Sequence, residues 1–243
     1  MKKDFLVISL MCVLFASCSV TEAPFEHKYV INLNLRLQMP KQKAYVDSTY
    51  RLDQSVNEEL TGISGANVSV VDKDSNTFTF SESDTAGTYI SDDSLWVKPN
   101  MTYTVNIALR EDTISQEVVV PGSLHIYTPA DFDTISLGNP PMLIWNNCSG
   151  CYKSNYYINA YPTGFADSIM FPMATSDTSL GIFYAQQLFE ETDTLYTISV
   201  MGMDEHCYNA SKGWGNFDEI DDERAIGVIG ASVMDTIVVY VEE

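Results

Sequence analysis

The sequence predicts an all-β protein, two tandem antiparallel β-sandwiches behind an export signal. Three observations lead there. Short runs of strict apolar–polar alternation recur along the chain, the mark of strands with one buried face. Clusters of Pro, Gly, Asn and Asp separate these runs at turn spacing. The roughly 225 residues behind Cys18 suffice for one large β domain or two of ordinary size. A hydrophobic share of 45% places the chain among folded proteins.

The first eighteen residues have a three-part layout: Lys2 and Lys3, an apolar run from Phe5 to Leu14, then Phe15-Ala16-Ser17-Cys18. The apolar run is too short to span a bilayer, which takes about 20 residues, and fits a secretory signal. Small residues directly before a cysteine resemble the lipobox of bacterial lipoproteins, with Phe15 where Leu is usual. The resemblance implies cleavage before Cys18 and acylation (palmitate) of that cysteine; an ordinary signal peptide cut nearby is the alternative. Residues 1–17 are then the signal peptide and residues 18–28 a tether. Ser19 is not the Asp that retains such lipoproteins in the inner membrane, so the same resemblance implies the outer membrane, with the periplasmic or surface face left open.

Residues 29–37 alternate strictly, with Tyr29, Ile31, Leu33, Leu35 and Leu37 on one side and Asn32, Asn34 and Arg36 on the other. Residues 39–63 are mixed and read as a loop with one short edge strand around 44–50. Residues 65–71 and 77–80 flank the turn cluster 72–76 as a hairpin. Asp72, Asp74 and Asn76 imitate the start of a calcium loop, but Thr77 replaces its glycine and Ser83 its closing glutamate, which rejects that reading. Residues 87–90 form the next strand, Pro99-Asn100 a turn, and residues 102–109 and 114–120 two more strands.

After Pro129, strands are expected at 142–145, 156–161, weakly at 168–170, and at 196–200, 226–231 and 236–241. Residues 184–191 carry apolar residues at helical spacing, enough for a turn or two. Trp145 and Trp96, in or beside strands, are read as core.

Gly65-Ala66-x-Val68, Gly87-x-Tyr89 and Pro99-x-x-x-Tyr103-x-Val105 make residues 29–125 resemble carboxypeptidase-regulatory-like modules. Trp145, Tyr156 or Tyr157 with Ile158, Leu188, and Tyr196 to Val200 make residues 126–243 resemble an immunoglobulin-like fibronectin type III module. Paired behind a lipobox, the two halves resemble uncharacterised outer-membrane lipoproteins with a domain of unknown function. Such proteins are commonly encoded near TonB-dependent receptors.

The formal charge is −20, and removal of residues 1–17 takes out two lysines and one aspartate to leave −21. That repels phosphate backbones, so no nucleic acid partner is expected. With three histidines, and without a phosphate loop, zincin helix or nucleophile elbow, the chain is not read as an enzyme, and no cofactor is expected.

Cys148, Cys151 and Cys207 remain in an oxidising compartment. If the second half is fibronectin-like, the loops after Trp145 and Met203 share a pole, which brings these thiols and His206 together. The leading expectation is a disulfide from Cys207 to Cys148 or Cys151; a Cys148–Cys151 bond, a Cys3His zinc site and three free, partly buried cysteines are the alternatives. Residues 205–225 read as one long loop in which Trp214 and Phe217 either contact a carbohydrate or protein ligand or fold back as a lid. Six Asp-Ser/Thr-apolar triplets, among them Asp112-Thr113-Ile114 and Asp235-Thr236-Ile237, resemble an O-glycosylation sequon or are plain turn chemistry.

The expected function is a non-enzymatic outer-membrane lipoprotein, held in the membrane by lipid on Cys18 and serving a TonB-dependent transporter as accessory or ligand-binding partner. A structural adhesin or fimbria-like subunit is the alternative.

Overall fold

The computed structural model describes residues 25–51, 62–110, 112–164, 173–181, 189, 192–212 and 218–243. Cys18 and the signal, the expected strand at 168–170 and nearly all of the expected helical turn at 184–191 lie outside them. The described chain is all-β, with one α-helix and one short 3-10 turn among its elements.

The first body is built from β1 (Tyr29–Arg36), β2 (Lys43–Ser48), β3 (Asn67–Asp72), β4 (Thr77–Glu82), β5 (Thr88–Ser91), β6 (Thr102–Leu109) and β7 (Asp112–Val119). The order β1-β2-β5-β4-β3-β6-β7 curls over on itself around a core of Ile31, Leu33, Leu35, Val68, Tyr89, Val105 and Ile107. Alternation dictates this: in β6 Tyr103, Val105, Ile107 and Leu109 are buried and the residues between them are only half-buried. The β3–β4 hairpin forms as expected, its turn closed by the Asp72 carboxylate accepting the Asp74 and Asn76 amides at 2.9 Å each. Those bonds, chiefly the one from the Asn76 side chain, hold the Asp72 carboxyl below its ordinary pKa. Asn100 takes the left-handed conformation expected of it, φ 57°.

β2 departs from expectation. It is an interior strand, paired with β1 on one side and β5 on the other, because Ala44 and Val46 both reach the core. The three-residue apolar pattern was too short to announce that. Trp96 also departs: it is 62% exposed, while its neighbours Leu95 and Val97 are buried. Side chains on an extended stretch alternate, and the aliphatic pair took the inside.

The second body contains β8 (Ile126–Thr128), β9 (Thr134–Ser136), β10 (Met142–Trp145), β11 (Tyr156–Pro162), β12 (Met173–Thr175), β13 (Ser179–Gly181) and β14 (Thr194–Met203), followed by α1 (Glu205–Lys212) and β15 (Asp218–Glu219). Its smaller sheet, β13-β10-β8, faces the layer β12-β11-β14 across a second core. There Trp145 and Tyr156 meet edge to face, 5.5 Å between ring centroids. Trp145 is core, as its strand position implied.

The last element joins the bodies. Two strands were expected after residue 225; one continuous strand, β16 (Ala225–Glu242), is found. Its first part runs parallel to β1, from Ala225 opposite Tyr29 to Ser232 opposite Arg36. Its second part runs antiparallel to β14, from Ser232 opposite Met203 to Val241 opposite Thr194, and β9 adds to its far end. Residues 126–243 were assigned to the second body, yet Ile220, Ala225, Ile229 and Ala231 belong to the first core. The buried Gln116 of β7 donates to the Glu219 and Ile229 carbonyls at 3.2 and 2.8 Å and closes the first body onto the returning strand.

Candidate functional site

Among the described residues, those picked out by sequence fall around β14, α1 and β16. The segment 205–225, read as one long loop, holds a helix: Asp204 caps α1, its Oδ1 accepting the Cys207 amide at 2.9 Å. The other carboxylate oxygen accepts the Ala231 amide of β16 at 2.8 Å. Asp204 thus ties the start of α1 to the strand shared by both bodies. Burial raises its pKa, against the pull of the two amide donors.

The cysteines sort onto opposite faces of one sheet. Cys148 and Cys151 form a disulfide, so the expected bond to Cys207 is corrected. Cys151 packs on Gly202, where an added Cβ would sit 2.2 Å from its sulfur. Gly202 pairs with Val233, whose side chain points into the second core. Cys207 packs on Gly230, where a Cβ would meet its sulfur at 2.7 Å. Residues 230 and 233 lie at odd spacing on one uninterrupted strand, so their side chains take opposite faces. A bond from Cys207 to either partner would have to pass through the sheet.

Cys207 is buried and free, its pKa pushed up by desolvation and then by the Asp204 charge, which leaves the thiol protonated and unreactive. His206 lies 4.0 Å from Glu219, away from the disulfide face. Among the described residues no three His, Cys, Asp or Glu side chains converge to hold a metal, and the Cys3His arrangement is not formed. Trp214 and Phe217 lie outside the described residues.

Sequence reading missed what lies beside α1. Tyr208 packs against Tyr152 at a tilt (5.2 Å between ring centroids) and Tyr157 edge-on (6.5 Å), and Lys153 and Lys212 sit over the rings, Lys212 at 4.5 Å from the Tyr208 centroid. The rings come from three elements, and no local pattern joins them. A second omission is the outer face of β1 and β2. Asn32, Asn34 and Arg36 alternate with the buried Ile31, Leu33 and Leu35, and Lys43 and Tyr45 do the same on the neighbouring strand. Arg36, Lys41, Lys43, Asn32, Asn34 and Tyr45 line a cavity of about 310 Å³. The alternation of β1 named Asn32, Asn34 and Arg36 as outward; it could not say what stood next to them.

The model of the DUF4249 family, described as a domain of unknown function, matches residues 17–160, more than half of the chain. The chain belongs to the DUF4249 family. None of the curated proteins matches it significantly. Among solved structures, the fibronectin(III)-like modules of Clostridium thermocellum CbhA are 12% identical, covering 87% of this chain and 94% of theirs at a TM-score of 0.26. The two tandem V-type regions of VCBP3, a v-region-containing chitin binding protein, are 9% identical, covering 89% and 100% at a TM-score of 0.22. The N-terminal four Ig domains of Dscam1 isoform 9.44 are 13% identical, covering 90% and 47% at 0.23. Likeness at these scores carries nothing about activity, and the all-β assignment of this DUF4249 protein stands on its own strands and cores.

Proposed function

We propose that this DUF4249 protein is a non-enzymatic lipoprotein of the outer membrane, anchored through Cys18 and serving a TonB-dependent transporter as an accessory or ligand-binding partner. The observation that carries this reading is the lipobox-like Phe15-Ala16-Ser17-Cys18 standing eleven residues before β1. A tether of that length reaches at most about 40 Å, which keeps the first body near the bilayer. Two or more acyl chains on one cysteine anchor stably without a membrane span. β1, the first strand after the tether in sequence, is paired on both sides, and β16 carries that support into the second body. A partner pulling on either body would therefore meet one continuous sheet.

The fimbria-like alternative needs a detachable terminal strand. Residues 236–241 are held within the second body by β14, with β9 flanking the far end, and the same strand continues into the first core, which counts against donation.

Cys18→Ala should move the protein from the membrane fraction to the soluble one; retention in the membrane overturns the anchor. Mild-detergent pull-down of the native protein should recover a TonB-dependent receptor, and its absence overturns the transporter role while leaving the anchor standing.

A further inference from the structure

We propose that the outer face of β1 and β2 is a binding site for an acidic saccharide, a sugar bearing a carboxylate or sulfate. The chain has 13 Lys and Arg against 33 Asp and Glu, so cations are scarce. Three of them, Arg36, Lys41 and Lys43, nevertheless line one cavity of about 310 Å³. Like charges gathered on one face repel, so the grouping costs stability unless something anionic offsets it. Lys41 pairs with the exposed Asp93 at 3.2 Å, a contact water screens. Among the described residues, no carboxylate lies within ion-pair distance of Arg36 or Lys43.

The neutral groups add to the same bias. Asn34 Oδ1 accepts the Ser232 hydroxyl at 3.1 Å, which commits the amide oxygen and leaves its NH2 as the donor end. With the guanidinium and the ammonium, the surface is a donor array, and donor arrays select oxyanions. Asn32 stands opposite Tyr45, which is 47% exposed and offers a ring face to the apolar side of a sugar. Carbohydrate hydroxyls have partners in both asparagine amides. A bare phosphate or sulfate would use neither Tyr45 nor Asn32.

The backbone that carries Arg36 is also held in place beforehand. The loop between β1 and β2 turns at Gln38, φ 65°, and is fixed from inside by Gln42, 1% exposed. The Gln42 side chain accepts the Arg36 amide at 2.8 Å and donates to the Arg36 and Met39 carbonyls at 3.0 and 3.1 Å. Preorganisation of this kind lowers the ordering cost of binding. A second cavity of about 380 Å³ shares Arg36 and Met39 with the first, so the groove has room beyond one sugar unit.

The test is calorimetric titration of the full chain, in detergent at low salt, with a sulfated oligosaccharide, a uronate oligosaccharide, a neutral oligosaccharide of the same length, and inorganic sulfate. Saturable, salt-sensitive binding of at least one acidic probe is expected, with the neutral one and inorganic sulfate at least ten-fold weaker. Arg36→Gln and Lys43→Gln should each weaken the acidic probe about ten-fold, while Lys73→Gln, on the distant β3–β4 turn, should change nothing. All three positions are exposed, and matching thermal midpoints show the variants folded. Failure of both acidic probes to bind, unchanged binding by Arg36→Gln and Lys43→Gln, or equal affinity for inorganic sulfate overturns the proposal. None of these outcomes depends on the anchor at Cys18 or on a transporter partner.

Discussion

The two faces of β16 use the same strand in opposite ways. The inner face carries Ala225, Ile229 and Ala231 into the first core and Val233, Ile237, Val239 and Val241 into the second. It is apolar nearly throughout, and its stabilisation comes from burial. The outer face is polar where α1 covers it: Asp204 bonds the Ala231 amide, Cys207 fills the space over Gly230, and Ser232 reaches Asn34. One face welds two bodies together through packing; the other is held by a few directional contacts. The difference separates a scaffold, which tolerates little change in volume, from a surface whose residues are placed one at a time.

That contrast predicts unequal responses to substitution. Gly227, on the inner-face register, has φ 120°, and an added Cβ would sit 2.0 Å from the Ile31 carbonyl oxygen of β1. Neither backbone can yield without breaking the β1–β16 pairing. Gly227→Ala should therefore cost about 3 kcal/mol or more. Chemical denaturation would measure it, and a cost below about 1 kcal/mol would break the claim that β1 and β16 are rigidly joined.

The outer face should answer more mildly. Asp204→Ala leaves the Cys207 and Ala231 amides without their acceptor and should cost about 2 kcal/mol. The same carboxylate gives a pH signature with a defined sign. Its folded pKa lies above the ordinary 3.8 because of burial, so the native state holds this proton more tightly than the unfolded chain. Its contribution is fullest below about 3.8 and is lost as pH rises through the folded value. The stability of wild type relative to Asp204→Asn should fall as pH rises from 3.8 through that window. A gap that widens instead would mean the amide donors, and not desolvation, set the pKa.

The inner face was largely legible in the sequence, and the outer one was not. Strict alternation in residues 29–37 and 102–109 announced β1 and β6 with their buried sides, because period two needs no knowledge of the partner. Continuity of β16 was hidden: Ser232 and Asp235 interrupt the apolar pattern, and the partners that explain a carboxylate there, the Ile126 amide and the His125 ring, lie about 110 residues away. The cysteine pairing failed for a related reason. Sharing a pole was inferred from topology, but which side of the sheet each thiol occupies depends on Gly202 and Gly230 on separate strands. The groove of Arg36, Lys41 and Lys43 was visible as single outward residues and became a site only when β2 proved to be an interior strand.

The smallest expected effect concerns Cys207. Serine is nearly isosteric and can donate to Asp204 as the thiol does, so Cys207→Ser should change stability by less than about 1 kcal/mol. Its value is in what must not change. Non-reducing peptide mapping should find the Cys148–Cys151 bond in wild type and variant alike, and a thiol-alkylating reagent should label Cys207 in the wild type only after unfolding. The sheet stands between the two sulfur sites, and burial keeps the thiol protonated. Labelling of the native protein at a rate near that of a free thiol, or a Cys207-linked peptide in the map, would mean that the face under α1 opens. The division of β16 into a packed side and a polar side would then have to be redrawn with α1 as a detachable cover.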